Sequence, residues 1–328
     1  MSEVNELPLI MHRQPWIYDI ELTNHCPFKC VMCPRTHSMD RTIGHMPFEL
    51  FTKFIDSFCA LGIKPEHKAK RLIRLHHFGE SLVHPEFDRF IRYLADRDFR
   101  TAMSINPLML TTPVAERLLN SGIAKLFCSL DGHDDASFEE IRGVPDAYDK
   151  SVRRLEAFLE RREELGLSDK IHVELSMIDF ARNRDSIKTK QDYWKQHELL
   201  DRFRHKTFVR WSGSDAEVNA LADDVSEQVF EEQRAEFGAC RRPWQHVAVL
   251  WDGRVVPCCY DHNAAYVLGD LKRQGWEEIW NGEPMQRLRA EFNAGEVTNP
   301  LCKTCAECPT APGQVKLQFP QPKAAAPA

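Results

Sequence analysis

A chain of 328 residues, 43% hydrophobic, 28% charged and 10% aromatic, has material for about two domains of roughly 150 residues each. That composition excludes a disordered, collagen-like or coiled-coil protein. Forty-three Lys and Arg against forty-nine Asp and Glu leave a formal charge of -6, so no global positive field draws the chain to nucleic acid or a membrane surface. Apolar runs break at charges well short of about 18 residues, and the first residues lack the basic-then-apolar order of a secretory signal. The expected location is the cytoplasm.

Residues 1–15 read as an N-terminal extension. From 16 to 213, short apolar runs alternate with stretches of helical period. Strands are expected at 17–22, 72–78, 101–105, 126–130, 171–177 and 208–211. Helical stripes run through Phe51, Phe54, Ile55 and Phe58, through Phe87, Phe90, Ile91 and Leu94, and through Val152, Leu155, Phe158 and Leu159. Thr112-Pro113 reads as a helix cap followed by proline at the first helical position. Six alternating units predict a parallel sheet covered by helices, an α/β partial (β/α)6 TIM-like barrel too short to close. An acidic helical linker follows at 214–239. A small α+β domain is expected at 240–310, entered by a hairpin over 246–258 whose turn is Asp252-Gly253, with Trp251, Trp276 and Trp280 in its core. The Pro- and Ala-rich tail at 311–328 predicts disorder.

Eleven cysteines are unusual in such a chain, and nine fall into tight groups: Cys26, Cys30 and Cys33, then Cys240, Cys258 and Cys259, then Cys302, Cys305 and Cys308. A reducing compartment disfavours disulfides, and an odd count leaves a thiol over, so the groups predict metal or iron-sulfur ligands. Cys59 and Cys128 stand alone and read as core residues. Cys26-Pro-Phe-Lys-Cys30-Val-Met-Cys33 follows the first strand, at the end of a barrel where chemistry is carried. Three thiolates can hold three irons of a cubane and leave the fourth open; a zinc knuckle completed by His25 or His37 is the alternative.

The CxxxCxxC spacing after the first strand resembles the signature of the radical S-adenosylmethionine (SAM) superfamily, over residues 17–211. The resemblance implies a 4Fe-4S cluster on Cys26, Cys30 and Cys33 whose open iron chelates SAM. One electron then cleaves SAM to methionine and a 5'-deoxyadenosyl radical that takes a hydrogen atom from substrate. It implies further that Met32 packs near the adenine and that Gly79-Glu80 corresponds to the motif holding the SAM amino group. Phe78 and Ser81 replace that motif's first glycine and its proline. Ser104, Asn106, Ser129 and Asp131 resemble the family's ribose- and substrate-facing positions. Arg142, in Ile-Arg-Gly143, resembles a recurrent family element and counts with Glu174 among the cofactor-binding candidates.

Alternation is a separate argument. It sets Glu21 with Thr23, Ser104 with Asn106, Ser129 with Asp131, and His172 with Glu174 and Ser176 on one face of their strands. A lumen so polar predicts SAM together with a hydrophilic substrate, unless these groups satisfy one another and ordered water. His76 and His77 are candidates to touch either molecule.

The second cysteine set resembles the C-terminal auxiliary-cluster domains called SPASM and twitch, over 240–308. This implies one auxiliary 4Fe-4S cluster on Cys240, Cys258, Cys302 and Cys305, with Cys308 as a substitute terminal ligand and structural zinc as the alternative. Cys259 is surplus, either a passive neighbour or a hydrogen donor to a substrate radical. The expected enzyme acts on a small polar metabolite, such as a sugar, aminocyclitol or nucleoside-like molecule, by dehydrogenation or epimerisation, or by decarboxylation or rearrangement. A flavodoxin- or ferredoxin-type reductant is the expected electron source. Maturation of a ribosomal peptide is the alternative within enzymes, disfavoured by the short segment before the first strand. A zinc-stabilised binding protein is the alternative outside them. No nucleic acid or membrane partner is expected, and the oligomeric state stays open.

Overall fold

Apolar residues at every second position make strands, those at every third and fourth make helices, and the two periods alternate along this chain. The computed structural model describes residues 7–12, 14, 15, 17–61, 72–237 and 240–305; Cys308 and the expected tail lie outside them. It places β1 at Ile17–Ile20, β2 at Leu72–Arg74, β3 at Arg100–Ile105, β4 at Lys125–Ser129, β5 at His172–Asp179 and β6 at Arg202–Thr207. Numbering helices of five residues or more, α1 is Phe48–Ala60, α2 Phe87–Ala95, α3 Thr112–Leu119, α4 Asp135–Arg142, α5 Tyr148–Glu164, α6 Arg184–Lys195 and α7 Asp224–Phe237. The six strands are parallel, in the order β6-β5-β4-β3-β2-β1. The fold is an α/β partial barrel, open at β6.

Phe51, Phe54, Ile55 and Phe58 of α1 and Phe87, Phe90, Ile91 and Leu94 of α2 are all buried, each such side chain contributing on the order of 1.5–3 kcal/mol. Met103, Leu126, Leu130, Val173, Leu175 and Met177 are buried as alternation predicts. α3 begins one residue earlier than expected, with Thr111 as the extended residue before it and no side-chain cap bond.

β6 departs from expectation. It occupies Arg202–Thr207 and not 208–211, because a strand with β5 as its one neighbour needs no apolar run. Phe208 is instead a buried plug stacked on Phe180, ring centroids 5.8 Å apart. Trp211 has φ +54°, a turn conformation no strand accepts.

After α7 the chain does not build a detached unit. β7 (His246–Val249) pairs in parallel with β1 from Ile17↔His246 to Ile20↔Val249. β8 (Arg254–Val256) and β9 (Gly269–Asp270) then add antiparallel, extending one sheet past β1. The expected hairpin is present, with Gly253 at φ +91° and its N–H on the Leu250 carbonyl at 2.9 Å. In α8 (Trp276–Trp280) the two tryptophans stack, and Trp276 also packs 5.2 Å from Phe54 of α1. Trp251 corrects its expected core role. It is half-buried in the turn and its ring covers Gly44, where an added Cβ would come within 2.4 Å of it.

α9 (Glu283–Ala294) and the turn before it hold residues 7–11. Leu7 donates to Asn293 Oδ1 (3.2 Å) and accepts from its Nδ2 (2.8 Å), Asn281 treats Met11 the same way (2.8 and 3.0 Å), and Arg289 donates to the Leu9 carbonyl (2.6 Å). Among the described residues no helix is long and apolar enough to cross a membrane.

Candidate active site

The first cysteine loop leaves β1 as a closed excursion. Thr23 Oγ1 donates to the Gly44 carbonyl (2.7 Å), and Asn24 bonds both Thr42 O and Gly44 N (2.9 Å each), tying the two ends together. The loop is docked on α4. That helix starts with a capping box between Asp134 and Ser137 and stops at Gly143, φ +68°. Its last carbonyls, normally left without partners, accept from the loop: Arg142 O from Lys29 N and Ile141 O from Val31 N, both at 3.0 Å. Any Cβ on Gly143 would meet Lys29 Cβ at 2.7 Å.

Below the loop, Asp131 is fully buried and pairs with Arg142, while also accepting from Ile178 N and Asn183 Nδ2 at 2.7 Å each. The other arm of Arg142 reaches Cys30 Sγ at 3.5 Å. Burial opposes the Arg142 charge, but Asp131 and Cys30 hold it firmly protonated. Burial pushes the free thiols of Cys26 and Cys33 up to about 12, helped by Glu80 at the first and Cys30 at the second. Thiolates there therefore call for a bound cation.

Gly79 lies at φ +133° with the Thr23 carbonyl 2.1 Å from where a Cβ would sit, so the backbone crossing beneath the loop admits glycine alone. Glu80 beside it is buried, accepting from Asn106 N at 2.9 Å and Leu82 N at 3.2 Å. Burial outweighs these N–H groups and the nearby Arg142, raising its carboxyl to about 7.

One cavity of about 930 Å³ opens between the loop and the sheet. Cys26, Cys30, Cys33, Met32, Gly79 and Glu80 line it, as do Ser104, Asn106, Ser129, Arg142 and Cys259. Asp131 and Glu174 do not; both stand one layer behind, Asp131 on Arg142 and Glu174 on Lys125 (3.1 Å) and Arg204. His76 lines the cavity as a neutral ring, burial lowering its pKa to about 3. Phe78 is a cavity wall packed 5.0 Å from Trp211.

Cys240, Cys258, Cys302 and Cys305 meet in a separate small cavity of about 20 Å³ with Tyr260 and Leu301. Trp211 joins the two sites: its Nε1 donates to Met32 O (3.0 Å) and its carbonyl accepts from Cys305 Sγ (3.7 Å). Cys259 faces the large cavity, 3.0 Å from Arg242. With Asp19 and His246 it offers three donors within 4.8 Å. Two of these are already met by guanidinium groups, Asp19 by Arg74 and Cys259 by Arg242, which makes the trio a hydrogen-bonded cluster and no cation site.

Among the described residues neither cysteine set is gathered as a single zinc site. Two thiolates on one zinc, each at about 2.3 Å, stand no more than about 4.6 Å apart. Among the described residues no three thiols of either set come within 4.8 Å of one another. His37 cannot complete a knuckle either, its ring nitrogens being taken by Val31 O and Glu217 (2.8 Å each).

Sequence reasoning missed Arg74, Arg204, Lys206 and Arg242, which also line the cavity. The signal was available for two of them: Arg204 and Lys206 are two apart on one strand and so share a face.

The sequence matches the family model of the radical SAM superfamily over residues 20–169 and that of SPASM, an iron-sulfur cluster-binding domain, over 240–309. The tungsten-containing aldehyde ferredoxin oxidoreductase cofactor-modifying protein of Pyrococcus furiosus is 31% identical across 88% of this chain and 86% of its own. The AdoMet-dependent heme synthase of Methanosarcina barkeri is 27% identical over 45% of this chain, and the match spans 40% of that protein's length. Among solved structures, BtrN in complex with AdoMet and 2-DOIA superposes with a TM-score of 0.59 at 17% identity, covering 90% of this chain and 94% of BtrN. Streptococcus suis SuiB bound to precursor peptide SuiA gives 0.62 at 14%, covering 89% and 70%.

The crossing at Gly79 yields a direct test. Gly79→Ala should lower the thermal midpoint through a strain of about 1–3 kcal/mol or more, read by circular dichroism; an unchanged midpoint would refute the close approach.

Proposed function

The chain belongs to the radical SAM superfamily and carries a SPASM domain, and on that premise we propose that it takes a hydrogen atom from a small polar molecule held beside SAM in the large cavity. Membership brings a 4Fe-4S cluster and SAM, with iron-sulfur binding in the SPASM domain as well. When bound, the first cluster supplies the electron that cleaves SAM to methionine and a 5'-deoxyadenosyl radical; a flavodoxin or ferredoxin would deliver it.

The observation that carries this reading is the cavity itself. At about 930 Å³ it lies at the top of the range of about 300–1,000 Å³ usual for small-molecule sites, room for SAM and a second small molecule. In this reading Cys26, Cys30 and Cys33 hold the first cluster, and Arg142, positioned by Asp131, supports the charge on Cys30. Glu80 accepts the SAM ammonium in the space left by Gly79, with Met32 on the adenine side. Ser104, Asn106 and Ser129 present polar edges to the ribose or substrate. Glu174 acts from behind, positioning Arg204. Cys240, Cys258, Cys302 and Cys305 hold one auxiliary cluster, and we favour dehydrogenation, in which the substrate's second electron leaves through that site.

A second reading has one specific observation in its favour. Cys259 stands outside the group that closes on the small cavity and lines the large one, where a thiol can return hydrogen to a substrate radical. The product would then be an epimer. SuiB, which shares this fold, is bound to a precursor peptide in its own structure.

Three results are expected. Anaerobic reconstitution should yield about eight irons and eight sulfides per chain, and the triple variant Cys26→Ala, Cys30→Ala, Cys33→Ala about four, with no 5'-deoxyadenosine from SAM and dithionite; zinc without sulfide would end the enzyme reading. SAM affinity should weaken as pH falls below about 7, approaching tenfold per unit, because protonation removes the Glu80 charge facing the ammonium; Glu80→Gln should bind weakly with a flat profile in calorimetry. Once a substrate is in hand, turnover in heavy water separates the two outcomes. Deuterium at one carbon, lost with Cys259→Ala, marks the epimerase, while a carbonyl product indifferent to that variant marks the dehydrogenase.

A further inference from the structure

The charge lining the large cavity is lopsided. Six basic side chains face it, Arg35, Arg74, Arg142, Arg204, Lys206 and Arg242, against one acidic side chain, Glu80. Arg142 serves the cysteine loop through Cys30, and Arg35 is bonded to the Phe28 carbonyl of that loop. The other four stand away from the loop. Arg74 is matched by Asp19, which His246 shares at 2.7 Å. Arg242 lies against Cys259 and over the Tyr260 ring, 4.5 Å from its centroid. Arg204 has Glu174, but Glu174 also serves Lys125. Lys206 is half-buried and has neither a hydrogen bond nor an ion pair among the described residues. SAM, with a sulfonium and an ammonium against one carboxylate, is a net cation, and the cluster with its three thiolates would be a net anion, so the two largely offset each other beside the loop and leave the excess in place.

From this juxtaposition, and resting on the reading of the cavity as a SAM and substrate site, we infer that the substrate is an anion whose phosphate or carboxylate sits between Arg204 and Lys206 on β6. Register supports the placement. Ser176↔Arg204 and Ile178↔Lys206 set the two cations in successive lumen-facing rows of the sheet's open edge, where a guanidinium can grip two oxygens and an ammonium a third. A half-buried ammonium without a partner is costly to leave unmet. Surrounding cations depress it further: burial first and Arg204 next lower the Lys206 pKa to about 8, which an arriving anion would reverse. The same field concentrates anions at the cavity mouth.

The test needs no turnover. Holoenzyme carrying its clusters and SAM is titrated calorimetrically with pyrophosphate and, separately, with malonate, at fixed ionic strength. At least one should bind at millimolar concentration or tighter; preference for pyrophosphate identifies a phosphate-bearing substrate, preference for malonate a carboxylate. Lys206→Gln should weaken that binding about tenfold and Lys206→Arg should restore most of it, so the pair separates loss of charge from damage to the fold. No binding of either probe to the wild type, equal binding by Lys206→Gln, or a loss that falls on SAM affinity instead would each overturn the inference. Failure here with iron, sulfide and SAM cleavage intact removes the anionic substrate alone. Polyanion binding by a protein without sulfide would instead remove the enzyme and leave the anion site.

Discussion

The parallel pairing of β1 with β7 is the constraint on which the two cysteine sites depend. Buried carboxylates stand at alternate positions on β1 and directly after it, Asp19 and Glu21, and each is used as a clamp. Asp19 draws Arg74 from β2 and His246 from β7; burial alone would raise its pKa, yet these two partners hold it well below the ordinary carboxylate range. Glu21 takes Arg41 through both oxygens, His77 at 3.3 Å and the Trp251 N–H at 3.2 Å, and is held near 2 against the same burial. Charges removed from water are costly unless fully met, so neither strand can shift register without stranding one. Because β7 is fixed beside β1, the turn at Trp251 reaches over Gly44 and Cys259 arrives at the cavity wall.

A similar economy governs the cysteine loop. A segment with three thiols and little regular structure must satisfy its own N–H groups, and the loop spends them on the end of α4. The helix gains partners for carbonyls it cannot satisfy internally, and the loop gains a rigid floor. Arg142, the last residue of that helix, then stands under Cys30 with Asp131 behind it. Three buried layers, carboxylate, guanidinium and thiol, thus follow from where one helix stops.

Much of this was readable beforehand, for reasons that differ by residue. Cys26, Cys30 and Cys33 stand at spacings that few other purposes require, and Gly79 must cross a backbone. Local chemistry at both is written into the residue type. The β7-β8 hairpin was visible in Asp252-Gly253, but its attachment to β1 was not, since strand pairing across more than 200 residues leaves no local mark. β6 escapes an apolar-run reading because an edge strand beside a polar cavity is built from Arg, His and Lys. Asp131 and Glu174 share the lumen-facing alternation with Ser129 and Ser176, yet alternation reports a face and not a depth. Which polar group meets the cavity and which supports a neighbour is decided by the long cations that reach past them.

The hold of Asn281 and Asn293 on residues 7–11 has a consequence in time. These bonds join positions 270 to 286 apart in the chain, so residues 7–11 find their partners only after Asn281 and Asn293 have been made. Strands β1 to β6 pair with their neighbours in chain order, whereas the region around α9 closes on a segment far earlier in the sequence. Of the two cysteine sites, the one nearer the amino end therefore has all three of its thiols in the chain before Cys302 and Cys305 of the other are made.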